Sequence, residues 1–592
     1  FFGIAQGVAS EVTHVAIPAF AGLALGTAVP PFLIFLVGGP LVLLLKGRAR
    51  QVGLIILAGM ALLDIVFLPM GTQWQLPFMG YQLTLLKVDS LSYMTGLIFG
   101  IITFLAVLYA AGFGKPWMHL FALLYAGTSL GAAYAGDWVT LLFFWELMAV
   151  TSTLLIMQGG EDSVRAGFRY LLYHGAGGAL LGGGIALLIF QMPAGQNFLP
   201  VGVVSGFWPS LLISLGIGLN AAFIPLHSWL PDAYPRAHFV ASVFLSVYTT
   251  KTAVYAFARM FIGQPDPQPA FEAIAVMGAV MAVYGVSFAV FQNNMRRLLS
   301  YHIVSQVGYM IAGVGLAGWL GMGDEWGVLG LDGGMAHVFN HILYKALLFM
   351  TIGVVIWKTG ENTMNRLGGL QKKMPITAIA FWIAAFSISG VPLFNGYVSK
   401  GMVIFAAEDV NVYLWILLEI ASFGTFLSFL KLGYFTFLRP APPDGITEAS
   451  DPPLTMQAAM LGTAALCVAI GVYPQMLYAI LPAAVPAVWN AWSPIQLGTS
   501  LLVLGLAALF FFGVGRRILA PHDTRLKDAD VAYAATARGF TAFSEKMESG
   551  FRMVYGGATD MAHGLFALGR RVTGLEDRDV NWNLVGFGRA LG

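Results

Sequence analysis

Glu146, Lys251, His337, His341, Lys345 and Lys400 are titratable side chains set among residues that have little else in common with them. Glu146 lies in LeuLeuPhePheTrpGluLeuMetAla, near the middle of an apolar run. Lys251 is stranded among Val, Phe, Leu and Tyr. His337, His341 and Lys345 recur every four residues, a spacing that puts all three on one side of a helix. Lys400 follows a Pro- and Gly-interrupted segment. A charged side chain in a membrane helix costs about 2.5–3.5 kcal/mol on insertion scales, so it is usually there for a purpose. Buried carboxylates and ammoniums shift one another's proton affinity. A row of acid, lysine and histidine joined by water can therefore relay protons, and histidine suits the task with its reference pKa of about 6.5. His337 and His341 could instead hold a metal at their i, i+4 spacing, but no acidic third ligand stands at a suggestive distance. His302 and Gln306 share a face of the preceding helix. Asp64, Glu419 and Lys431 also lie inside apolar runs, where a structural polar contact between helices is the competing reading.

The elements that hold these residues are built for lipid. Of 592 residues, 58% are hydrophobic and 10% are charged, against about 25% charged in a soluble domain. The expected fold is an all-α polytopic membrane protein. The net charge of +2 gives no reason to expect nucleic acid. The one cysteine, Cys467, excludes an internal disulfide, and no cluster exists for an iron–sulfur centre or structural zinc. The 71 glycines fit close helix packing in a bilayer. Phe1 to Ala16 lacks the positive start of a cleavable signal peptide.

Apolar runs of about 20 residues, the length needed to span, fall near 17–45, 51–70, 89–112, 117–135, 138–158, 165–191, 209–230, 238–262, 271–293, 299–318, 333–357, 376–405, 412–438, 455–480 and 498–515. The odd-numbered connections hold Lys46, Arg48 and Arg50; Lys115; Arg165 and Arg169; Arg236; Arg296 and Arg297; Lys358, Arg366, Lys372 and Lys373; Arg439; Arg516 and Arg517. The even ones hold Asp137, Asp266, Asp324, Glu325, Glu408 and Asp409 or no charge, with Lys87 the exception. Positive-inside bias then puts the amino end outside and the odd loops in the cytoplasm. Two runs are interrupted at matching places, 218–226 and 388–396. They lie five segments apart and so run in opposite directions, the pattern of paired broken helices along an ion path. From 523 to 572, Phe540, Phe543, Met547, Phe551, Val554, Met561, Leu565 and Leu568 form one stripe. This tail, 520–592, is expected to be an amphipathic helix on the cytoplasmic side.

Several motifs are longer than chance allows. TrpGluLeuMetAla, ProLeuHisSerTrpLeuProAspAlaTyrProArgAla, PheLeuSerValTyrThrThrLysThrAlaValTyrAla, HisValPheAsnHisIleLeuTyrLysAlaLeuLeuPhe and GlyValProLeuPheAsnGlyTyrValSerLys resemble the antiporter-like subunits of Mrp-type multisubunit cation/proton antiporters and of respiratory complex I. The nearest resemblance is to the Mrp D subunit, over roughly 85–440. It implies two inverted five-helix repeats, each with a broken helix, inside about 14–15 spans. The core would be 85–440, flanked by membrane helices in 1–84 and 441–519.

The resemblance makes Glu146 the essential helix-five glutamate and Lys251 the central lysine. It makes His337, His341 and Lys345 the connecting polar residues and Lys400 the terminal lysine. Asn220, His227 and His302 are secondary candidates. One departure stands out: the family's lysine five residues before the Pro of ProLeuHis is here Asn220, so the usual partner of Glu146 is absent. The implied activity is transfer of H⁺, coupled to Na⁺ or another monovalent cation, in a bacterial inner-membrane complex with other membrane subunits. Two alternatives stay open: a proton-pumping subunit of a complex I-like oxidoreductase, and a scaffold subunit whose channel Asn220 has disabled. No nucleotide loop, flavin fingerprint or quinone signature appears, so no cofactor is expected in this chain.

Overall fold

The computed structural model describes residues 29–521 apart from 443, 444, 447 and 448, and beyond 521 only Asp528, Arg538, Lys546 and Asp560. The chain divides into a unit spanning 1–526 and a second spanning 527–592. The expected amphipathic tail thus lies outside the described residues, save those isolated positions.

Where the apolar runs fall on described residues, the structure has helices. They are α1 (Pro31–Val42), α2 (Gly47–Phe67), α3 (Ser90–Ala110), α4 (Pro116–Tyr134), α5 (Trp138–Ile156), α6 (Glu161–Gln191), α7 (Phe207–Asn220), α8 (Trp229–Ala233), α9 (Phe239–Leu245) and α10 (Thr249–Phe261). The second half continues with α11 (Glu272–Val290), α12 (Met295–Leu320), α13 (Glu325–Thr359), α14 (Pro375–Ser389), α15 (Asn395–Val410), α16 (Val412–Gly433), α17 (Leu454–Val472) and α18 (Pro494–Phe510). Ten helical stretches among the described residues are long and apolar enough to cross a membrane, and three apolar helices are shorter. In hydrocarbon a spanning segment must satisfy its own backbone, which leaves the helix as the only form for single runs of this composition.

Polar residues fix the helix starts. Asp89 accepts from the Ser92 N–H at 3.0 Å while Ser92 Oγ accepts from the Asp89 N–H at 2.8 Å, a reciprocal cap on α3. Asp137 caps α5 through the Thr140 N–H and also takes the Thr84 N–H at 2.6 Å. That second bond anchors an element the apolar runs did not indicate: a β-hairpin, β1 (Gln73–Phe78) with β2 (Tyr81–Lys87). The alternating TyrGlnLeuThrLeuLeu was its signal. Asp89 also takes both terminal nitrogens of the buried Arg259 guanidinium, at 2.6 Å each. Burial alone would raise the Asp89 carboxyl, but the Arg259 hydrogen bonds and charge hold it below the usual carboxylate range. This pair ties the start of α3 to the end of α10.

The centre of the fold is α13, buried along nearly its whole length. It packs against α12, α14, α15 and α17. Helices α11 and α12 approach closely because a Cβ on Gly278 would stand 2.2 Å from the Ala312 nitrogen, and one on Gly308 2.5 Å from the Ala282 nitrogen.

Both expected interruptions are breaks. Helix α7 ends at Asn220, and Phe223 N–H reaches Gly218 O at 2.9 Å while Ala222 N–H reaches Leu219 O at 3.0 Å. Helix α14 ends at Ser389 with the same pair of bonds: Val391 N–H to Phe386 O at 3.0 Å and Gly390 N–H to Ser387 O at 3.1 Å. The pivot residue is left-handed in each, Ala222 with φ 62° and Gly390 with φ 77°. This is the Schellman closure, used twice. The Ile224–Pro225 peptide in the first break is cis. A third break was not expected. The run 238–262 divides into α9 and α10 at Ser246–Tyr248, immediately before Lys251.

Candidate functional site

Lys251, His337, His341, Lys345, Lys400 and His302 are all buried, none above 2% exposed. The break between α9 and α10 explains how Lys251 is held: its Nζ donates to the freed Ser246 carbonyl at 2.6 Å. Lys345 Nζ donates to Leu299 O on α12 at 3.2 Å. Among the described residues neither ammonium has a carboxylate partner. Their charges act instead on one another and on the imidazoles between them, Lys251 on Lys345, His337 and His341, and Lys345 on His302 and His341.

The helix spacing puts the α13 groups on one face, and neighbours from α12 and α15 close around it. His337 Nδ1 pairs with Ser399 Oγ at 3.0 Å and its Nε2 with Gln306 Oε1 at 3.2 Å. Tyr344 OH lies 3.2 Å from the same Nε2. The rings of His337 and His341 are 6.3 Å apart. Both nitrogens of His341 and both of His302 are buried with no protein hydrogen-bond partner. Buried polar atoms of that kind are places that water satisfies, and water between imidazoles is what a relay requires. Asn340 and Asn395 exchange side-chain-to-backbone bonds at 2.8 and 3.4 Å, which lock the second break to α13. Lys400, one turn and a half into α15, donates to the Ile388 carbonyl at 3.3 Å and to Ser422 at 3.4 Å, and lies over the Tyr309 ring at 4.8 Å. It too acts electrostatically on His302 and His337.

Glu146 and Asn220 stand at a different place, on the Gly177–Gly178 step of α6. A Cβ on Gly178 would fall on Glu146 Oε1, and one on Gly177 would lie 3.4 Å from Asn220 Oδ1. Glu146 Oε1 and both amide atoms of Asn220 have no hydrogen-bond partner. Among the described residues no cation replaces the missing lysine in an ion pair with Glu146. His227 is buried, with Nδ1 3.2 Å from Pro225 O and its ring against Tyr284. Lys431 resolves to a structural role, capping the end of α11 through Val290 O and Gln292 O at 2.9 Å each. No group of three or more His, Cys, Asp or Glu among the described residues could hold a metal ion.

Three features escaped the sequence reasoning. His174, one turn before Gly177–Gly178, donates from Nδ1–H to the Tyr170 carbonyl at 2.9 Å and leaves Nε2 unpartnered. A chain of hydroxyls runs to the start of α10: Ser152 to Tyr170 at 2.9 Å, Tyr170 to Thr249 at 3.1 Å and Thr249 to Tyr125 at 2.5 Å. Being uncharged, it leaves no mark in a search for ionised groups. Asp332, five residues before His337, accepts the Ala483 N–H at 3.1 Å and leaves Oδ2 buried and unpartnered. It falls outside the apolar run, which begins at 333, whereas the helix begins at Glu325.

Residues 135–428 match the family described as NADH:quinone oxidoreductase/Mrp antiporter, TM. An uncharacterized protein of Methanocaldococcus jannaschii is 31% identical over 58% of this chain and 72% of its own. The chain belongs to this family. It is an antiporter-like, multi-pass membrane subunit of the Mrp or complex I type. A Na(+)/H(+) antiporter subunit of Bacillus subtilis is 30% identical over 63% of this chain, which spans 49% of that protein's length. Among solved structures, the membrane-bound sulfane sulfur reductase, an archaeal respiratory membrane complex, has a chain that aligns with a TM-score of 0.70. It has 22% identity and covers 95% of this chain and 98% of its own.

Proposed function

We propose that this chain is the ion-translocating subunit of a bacterial inner-membrane complex, moving H⁺ in exchange for Na⁺ or another monovalent cation. The observation that carries this reading is the set of three buried lysines, Lys251, Lys345 and Lys400, linked electrostatically through His302, His337 and His341, with no carboxylate partner for the first two among the described residues. Buried charge without a partner is expensive, and two of the three lysines sit at helix breaks, Lys251 bonded to Ser246 O and Lys400 to Ile388 O. A proton placed on one lysine disfavours a proton on the next, so charge moves stepwise. Glu146 begins the route and Lys400 ends it. The alternating loop charges support an amino end outside and the 520–592 tail in the cytoplasm.

A second reading keeps the same relay but drives it by redox chemistry in other subunits. The 95% coverage by a chain of a respiratory complex favours it. Partner subunits that co-purify discriminate the two: hydrophilic redox subunits for the second, small membrane subunits for the first. Lys251→Ala in the intact assembly, reconstituted in proteoliposomes, tests the relay itself. Proton flux should fall at least about a hundredfold. Unchanged flux would leave only the scaffold.

A further inference from the structure

Lys400 has a neighbour that neither the motifs nor the relay uses. Beside it a small cavity of about 20 Å³, room for about one water, lies between α14, α15, α16 and α18. Its lining includes Lys400, Glu419, Ser389, Ser422, Thr499 and Ser500. In a stretch of helices that is otherwise apolar, four hydroxyls and an ion pair's worth of charge on one cavity is a concentration of polar groups that lipid would not tolerate. Ser389 is 1% exposed and its Oγ has no partner, so the cavity holds a hydrogen-bonding group waiting on a small polar occupant. Glu419 is half-buried, and among the described residues its carboxylate is the only acid on the lining. It interacts electrostatically with Lys400 and Glu408 on α15 and with Tyr309 on α12. Helix α18 brings only uncharged groups.

We propose that this cavity is the hydrated outlet of the relay, and that Glu419 is the carboxylate that exchanges a proton with Lys400. The N–H bond of the Lys400 ammonium breaks and an O–H bond forms on Glu419, directly or through water. An ammonium and a carboxylate become an amine and a carboxylic acid, and no net charge is created in the low-dielectric interior. Glu419 then loses the proton to water in the cavity, and the reverse sequence loads Lys400. Glu408, one more carboxylate in electrostatic reach, keeps negative potential at the exit.

This inference rests on the ion-translocating reading, and the experiment separates the two. Glu419→Gln is compared with Glu419→Asp and Lys251→Ala in the intact complex, reading proton flux in proteoliposomes. The expected result is a loss of at least tenfold for Glu419→Gln, substantial retention for Glu419→Asp and an inactive Lys251→Ala. Wild-type flux in Glu419→Gln beside an inactive Lys251→Ala overturns the outlet and leaves the relay. An active Lys251→Ala overturns both. Hydration is read independently of flux. Thr499→Cys should react with a small cationic methanethiosulfonate, and Leu501→Cys, on the lipid-exposed side of α18 at 56% exposure, should not. The wild-type chain is the control, since Cys467 is buried. An unreactive Thr499→Cys overturns the proposal even where Glu419→Gln fails to assemble.

Discussion

At Asn220 the chain keeps a polar side chain that nothing satisfies. The residue is fully buried and both amide atoms lack a partner. Leaving a buried polar group unpaired costs about 1–3 kcal/mol, so a purely structural position would have been filled by an apolar side chain of the same shape. Asn220→Leu makes that replacement. Unfolding in mixed micelles should show stability equal to or up to about 2 kcal/mol above the parent, while proton flux through the complex falls at least tenfold. Unchanged flux would mean that the amide is idle. The departure itself was readable from a motif, whereas its surroundings were not. No spacing rule connects Glu146, Gly178, Gly177, Asn220 and His174, because the contact is made by glycines, which leave no chemical mark. The six relay residues were legible because each is a charge or imidazole in an apolar run. Asp332 and the Ser152–Tyr170–Thr249 hydroxyls were not, one because its helix starts ahead of the apolar run and the others for lack of charge.

The breaks show how local sequence and function meet at the level of the element. Pro225 and Pro392 mark the two interruptions in the sequence, but the structure puts the pivots earlier, at Ala222 and Gly390. The same closure with two different residues predicts an asymmetry. A left-handed residue with a Cβ costs roughly 1–2 kcal/mol relative to glycine. Gly390→Ala should therefore lower stability by about 1 kcal/mol, and its new Cβ would stand 3.4 Å from Lys400 Cδ. Ala222→Gly should be nearly neutral. Relief of the backbone is offset by losing a buried methyl, about 0.8 kcal/mol, and by the added freedom of glycine in the unfolded chain. Reversible unfolding of the two variants measures the difference, and equal and opposite effects would contradict it. The third break, before Lys251, has no proline of its own. The sequence PheLeuSerValTyrThrThrLys reads as continuous helix, and only the three-dimensional path shows that Ser246 offers its carbonyl to the lysine.

For the molecule as a whole, the face of α5 that carries Glu146 points outward. Phe143, Val150 and Leu154 are 60%, 46% and 36% exposed, and Glu146 among them is half-buried. Steps of three and four residues put all four on one stripe. Lipid is a suitable neighbour for the three apolar residues and an unsuitable one for the carboxylate, whose burial in hydrocarbon costs several kcal/mol. A neighbouring subunit that brings a polar or cationic group to Glu146 removes that conflict, and it also supplies the counter-charge that Asn220 does not. Membership of a family of multisubunit complexes fits that arrangement. Incorporating the photoreactive benzoyl-phenylalanine at Val150 in the assembled complex tests it. Irradiation should give one discrete covalent adduct with another membrane subunit, identified by mass spectrometry. The same probe in the separated chain should capture only lipid or detergent. If the assembled complex gives only lipid adducts, the stripe faces the bilayer, and the balance of Glu146 must come from within this chain through water on the Gly177–Gly178 step.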